Sequence, residues 1–276
     1  MMVYGLKSWL AATAVVLGAA IGHAQELRVY TSTYDLSQGA DRPPLVARSL
    51  TLFHAGKVYD FISNQNEVTV YEPVHRRFRL LQINAGAAAE VSQDQIRRYL
   101  SIAEEKAREQ ALELARQPGT TPKGALDLLE FQLRPNFVKQ VDAGGGRWKF
   151  TSPRCRYEVE SFVAPEPAIA QAYLKYADAL SELNAVLNPH SLLPGPRLQV
   201  NQELRERGAL PRVVRRQVDV DRTVDLRVDH EWKWKLDEHE RQMISLWETL
   251  LAKKDLRWVP FEQLQREVLG GRLTQR

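Results

Sequence analysis

The chain has 276 residues, with 38 Lys and Arg against 34 Asp and Glu and a single cysteine, Cys155. One cysteine excludes an internal disulfide, so stability has to come from packing. A formal charge of +4 is too small an excess to point to nucleic acid, although weak attraction to an anionic membrane surface stays open. At the start of the chain, Lys7 precedes the apolar run Trp9 to Gly22, and Gly22-His23-Ala24 offers small residues for cleavage, so residues 1–24 are expected to be a secretory signal. An anchoring helix is the competing reading, but the run is shorter than the roughly 20 residues that cross a bilayer. The mature chain from Gln25 is thus expected to be exported, to the periplasm or beyond, and to form one α+β domain over 25–276.

Glu26 to Tyr34 reads as a first strand, followed by a polar loop through Pro43 and Pro44. Two hairpins come next: Leu50–Phe53 with Val58–Ile62 around Ala55-Gly56, and Val68–Tyr71 with Phe78–Leu81 around Pro73. Ser92 with Gln95 is a capping-box pattern, and Ile96, Tyr99, Ala103, Ala107 and Leu114 continue at helical spacing until Gln117-Pro118-Gly119. Strand-like segments return at 126–133, 136–141, 148–151 and 155–163. The triple glycine at 144–146 makes a hairpin turn, since neither a Lys-Ser/Thr pair nor a helix start follows it as a phosphate cradle requires.

A second helix over 166–187 carries Ile169, Tyr173, Tyr176, Leu180, Leu183 and Leu187 at spacings of three and four. Pro189 to Pro196 reads as a rigid loop that could divide the chain, and a short helix near 201–207 stops at Gly208. Strands 211–220 and 223–235 form a last hairpin around Asp221-Arg222. Asp237 and Glu240 then open a helix with Met243, Ile244, Trp247, Leu250 and Leu251 on one side, within a C-terminal tail of 236–276. Trp258 to Phe261 is expected to dock back on the body.

The clearest pattern lies in 223–235, where Val224, Leu226, Val228, His230, Trp232 and Trp234 alternate with charged residues. That is a strand with one covered and one wet face, as in an antiparallel sheet. The expected architecture is therefore one strongly curved antiparallel sheet of about eleven strands, unclosed but barrel-like, covered by amphipathic helices.

Neither a nucleophile elbow, a His-Glu-x-x-His pair nor a cysteine pair is present in the sequence, and no catalytic residue, metal ligand or cofactor is assigned. Cys155 falls on the apolar side of its strand as an inert thiol. His230 must find a hydrogen bond or line a cavity, and His239 with Glu240 could join it only as an incomplete metal set. Arg212, Arg215 and Arg216 form a basic cluster that suits either a solvated edge or docking to a membrane surface or protein. Trp148, Phe150, Tyr157, Leu226, His230, Trp232 and Trp234 fit two readings, a core filled by helices or the wall of a concave site for an apolar ligand.

The segment Gly56-Lys-Val-Tyr-Asp-Phe-Ile62, Glu67-Val-Thr-Val-Tyr-Glu-Pro73 and Arg77-Phe-Arg-Leu-Leu81, with the order of elements, resembles the periplasmic lipoprotein-carrier superfamily of LolA and LolB type. The likeness covers about residues 50–83. No amphipathic helix separates the signal from the first strand, as it does in those carriers, and the tail from Leu236 is additional. The resemblance implies an open β-barrel with a helical lid, an apolar concavity for acyl chains and no enzyme chemistry. A secreted interaction protein and a hydrolase using His230 are the alternatives.

Overall fold

A computed structural model describes residues 26–116, 124–188, 191–219 and 223–273. The expected signal at 1–24, the stop at 117–119, Pro189 and the Asp221-Arg222 turn lie outside the described residues. The leading strands are β1 (Leu27–Asp35), β2 (Leu45–His54), β3 (Lys57–Ile62), β4 (Glu67–Glu72), β5 (Arg77–Gln82) and β6 (Ala87–Ser92). Helices α1 (Gln93–Arg116) and α2 (Ala125–Leu133) precede β7 (Val138–Val141), β8 (Arg147–Thr151) and β9 (Cys155–Val163). Helices α3 (Pro167–Leu187) and α4 (Gly195–Glu206) lead into β10 (Ala209–Val218) and β11 (Val224–Lys233). The tail adds α5 (Glu238–Leu251), the two-residue β12 (Arg257–Trp258) and α6 (Phe261–Leu273).

All twelve described strands belong to one curved, unclosed sheet in the order β12-β6-β5-β4-β3-β2-β1-β11-β10-β9-β8-β7. Every pairing is antiparallel except the short parallel contact of β12 with β6. The two halves of the sheet meet where β1 pairs with β11, from Arg28 opposite Lys233 to Asp35 opposite Leu226. Between β2 and β3 the chain reverses through Ala55 and Gly56, both at positive φ (49° and 74°). A two-residue turn of that kind matches the right-handed twist of its strands, and glycine takes the second position without steric cost.

Side-chain alternation along the strands gives each face its own core. On the inner face, Leu27, Val29, Phe53, Tyr71, Phe78, Trp148 and Val159 pack against α1, α2, α3, α4 and α6. On the outer face a separate cluster joins Leu52, Tyr59, Val68, Val70 and Leu81 to Ile244, Trp247 and Leu251 of α5. The expectation of one wet face therefore holds for the β7–β11 half but not for the meander, where β4 is buried at every position. The cover for its second face comes from the tail, and nothing in a six-residue strand announces a partner helix some 170 positions away.

Other boundaries also differ. Residues 126–133 form α2 instead of a strand: Leu128 and Phe131, three apart, bury together, and a short apolar run does not by itself distinguish the two periods. The 189–196 loop is shorter than expected, because Gly195 and Pro196 already open α4, where proline in a first turn sacrifices no hydrogen bond. Strand β6 and helix α6 had not been anticipated; β6 is alanine-rich, and its three alanines are fully buried where larger side chains would not fit. Trp258 stays half exposed while Phe261 docks into the inner core.

The two helix starts marked by capping boxes follow the sequence closely. Ser92 and Gln95 exchange backbone and side-chain bonds of 3.0 and 3.1 Å, and Asp237 and Glu240 do the same at 2.9 and 2.8 Å. Asp237→Ala is expected to cost about 1 kcal/mol, the usual value of an N-cap. Urea unfolding measures it, and a loss no larger than that of an Ala substitution at exposed Glu238 would show the box to be idle.

Candidate functional site

Seven apolar-line residues were expected to share one surface, and the structure separates them into three settings. Trp148 and Phe150 are each about 1 % exposed and stack at 5.9 Å with nearly parallel rings, while the Trp148 indole donates to Ser161 Oγ at 3.0 Å. Phe137 packs edge-on against Phe150 and Tyr157, Arg207 lies over the Trp148 ring, and both Trp148 and Phe150 belong to the inner core. Trp232 and Trp234 stack on each other at 6.1 Å, with Phe162 edge-on to both. They border an open groove with Arg212, and the Trp232 indole donates to the carbonyl of Pro211 at 2.9 Å.

Between these two regions, Tyr157, Leu226 and His230 line a cavity of about 250 Å³. Its floor is the sheet, through Val214, Leu226 and Val228 on paired strands β10 and β11. Its roof is Ser181 of α3 with Leu192, Leu193 and Pro194 of the α3–α4 connection. Two cations enter it: Arg216 from β10 and Arg197 from the first turn of α4, both half-buried. Among the described residues no Asp or Glu lines the cavity and neither guanidinium is in an ion pair. Arg216 lies beside Tyr157, whose ionisation is pushed up by burial.

His230 is 8 % exposed and its Nδ1 is buried without a hydrogen-bond partner. Burial first, and the nearby Arg197 charge second, depress its pKa to about 3, so the ring is neutral at physiological pH. A general base works best with a pKa near the operating pH and with an orienting acid, and among the described residues no carboxylate bonds this imidazole. His239 lies exposed on α5, which packs on the opposite face of the sheet from His230, so the two do not converge on a metal. Among the described residues no group of three or more His, Cys, Asp and Glu gathers as a metal site would require. Cys155 is buried and its thiol is pushed up to about 11, again by burial, which keeps it a thiol at neutral pH.

The arginine cluster also divides. Arg212 sits over the Phe162 ring at 5.5 Å, beside a register shift between Pro211 and Val213. Arg215 points to the outer face and forks onto Asp225 at 2.9 and 2.6 Å, and Arg216 points inward. A single docking patch of all three is therefore not what the strand presents. The inward position of Arg216 was legible, since it shares parity with Val214 and Val218. Arg197 carried no such signal, because its place depends on where α4 begins.

Fold and site together define an open antiparallel sheet with helices over both faces and one small amphipathic cavity on the inner side. Comparison of the chain with family models and with curated proteins finds no match in either.

Proposed function

We propose that this is an exported, non-enzymatic protein that binds a small apolar or lipid-like ligand on the inner face of its sheet. The observation that carries the reading is the cavity of about 250 Å³ between the α3–α4 connection and β9–β11, walled by Val214, Leu226, Val228 and Leu192. Small-ligand sites are concave, largely apolar and equipped with a few polar groups, which is the composition of this lining. Its volume falls below the roughly 300–1,000 Å³ of pockets for drug-sized molecules, so a small ligand is favoured over several acyl chains. The charged start and apolar run of residues 1–24 support export, and the resemblance of residues 50–83 to lipoprotein carriers supports an apolar cargo.

The neutral fluorescent probe naphthalene, whose ten carbons match the size of the cavity, tests this. Saturable binding of one probe per chain is expected, together with at least a tenfold loss of affinity in Leu226→Trp, whose indole fills the cavity. Retained far-UV circular dichroism in that variant excludes simple unfolding. Absence of saturable binding, or unchanged affinity in folded Leu226→Trp, overturns the reading.

A further inference from the structure

Resting on the binding role proposed above, the geometry points to a small amphipathic carboxylate, a medium-chain fatty acid or an acid of similar shape, held with its head group between Arg197 and Arg216 and its tail on the Leu226 and Val228 floor. Two observations converge on the charge of the ligand. Two half-buried guanidiniums line the cavity and, among the described residues, no acidic side chain does, so the described lining carries a local positive charge. The N-terminus of α4 opens at the same wall, through Pro194 and Arg197, and has no side-chain cap, leaving the positive end of a twelve-residue helix to face it.

A carboxylate suits this setting better than a larger anion. Guanidinium presents a flat fork that matches the two oxygens of a carboxylate, and a second arginine can complete the charge balance from the side. Space decides the rest: about 250 Å³ holds roughly eight to ten non-hydrogen atoms at the ~30 Å³ that a water occupies in the liquid. A bulky head would leave nothing for the apolar wall to cover, whereas an eight-carbon acid fills both ends.

Calorimetric titration of the whole chain with octanoate and 1-octanol, beside displacement of naphthalene, separates this step from the binding role itself. Octanoate is expected to bind one per chain, at least tenfold more tightly than 1-octanol, and to displace the neutral probe. Arg216→Gln and Arg197→Gln are each expected to weaken octanoate at least tenfold more than they weaken the neutral probe, with retained far-UV circular dichroism reporting that the fold is intact. From hexanoate to dodecanoate, affinity should stop rising near eight carbons. Equal binding of octanoate and 1-octanol, full octanoate affinity in both Gln variants, or tighter binding of octyl phosphate than of octanoate overturns the carboxylate while the probe still binds. Failure of the probe and of octanoate alike removes the binding role as well.

Discussion

Replacing Trp247 by alanine is expected to cost about 3–5 kcal/mol, the range for truncating a fully packed aromatic residue, and to be among the most damaging single changes in the chain. Trp247 is 2 % exposed and is the central contact of α5 with the outer face, its ring 6.2 Å from Tyr59 and 5.6 Å from Phe61. Ile244 and Leu251 complete the stripe, one turn to either side, at the spacing that keeps side chains on one helix face. Around this core, Glu248 accepts from Lys57 and Tyr59, both at 2.7 Å, and Arg28 donates to Glu240 at 3.1 Å. These polar contacts orient the helix but cannot replace the lost apolar area. Urea unfolding gives the magnitude, and limited proteolysis should cut near α5 in the variant first. A loss below about 1 kcal/mol would mean that α5 is an ornament on a sheet stable without it.

Asp60→Asn is expected to change stability in a strongly pH-dependent way. Asp60 is 5 % exposed on the inner face, bonded to Thr51 Oγ1 at 2.6 Å, and burial raises its pKa from 3.8 to about 6. For an acid raised on folding, the stabilisation is complete below 3.8 and is lost as pH climbs to about 6. Above that window the charged form costs about 3 kcal/mol, at about 1.4 kcal/mol per pKa unit, and Asn avoids it. The advantage of the variant should therefore be near zero at pH 3 and about 3 kcal/mol at pH 8. His230 works in the opposite sense: its pKa falls from 6.5 to about 3, so its contribution is complete above 6.5 and is lost as pH falls towards 3. Between about pH 4 and 6 these two one-proton slopes oppose each other. Asp60→Asn should expose the His230 slope, stability rising with pH across that interval. Parallel profiles for native protein and variant would show that Asp60 ionises as freely as in water.

What could be read from the chain and what could not divide along physical lines. Signals carried by neighbouring residues were legible: the period of two in β11, the two capping boxes, the Ala55-Gly56 turn and the glycine hairpin between β7 and β8. Features created by distant segments were not. The alanines of β6 look like neither core nor strand until α1 and the tail are seen to crowd them, and α2 mimics a strand because its buried face is only two residues long. The same holds within the site. Tyr157, Leu226 and His230 converge because they alternate correctly on neighbouring strands, whereas Trp148 and Phe150 have the same parity but lie under helices that close over them. Arg216 was counted with its outward neighbour Arg215 although one residue along a strand reverses the face. Arg197 became visible only with the roof in place.

The pairing of β1 with β11 has a kinetic counterpart. Arg28 meets Lys233 across more than two hundred residues, and the described cover of the meander's outer face comes from the late segment around α5, so the first strands emerge in synthesis long before that segment can shield them. Non-local pairing slows folding, because loop-closure entropy is lost before contacts repay it. For that interval β2 to β6 constitute a hairpin array with an apolar surface on each side and an unpaired edge at β6, the kind of surface on which chains associate. The segment from α5 to α6 therefore acts as a late clasp: it covers one face, caps the β6 edge through Arg257 and Trp258, and inserts Phe261 on the other side. A chain truncated before Leu236 would leave a nascent sheet permanently in its aggregation-prone stage.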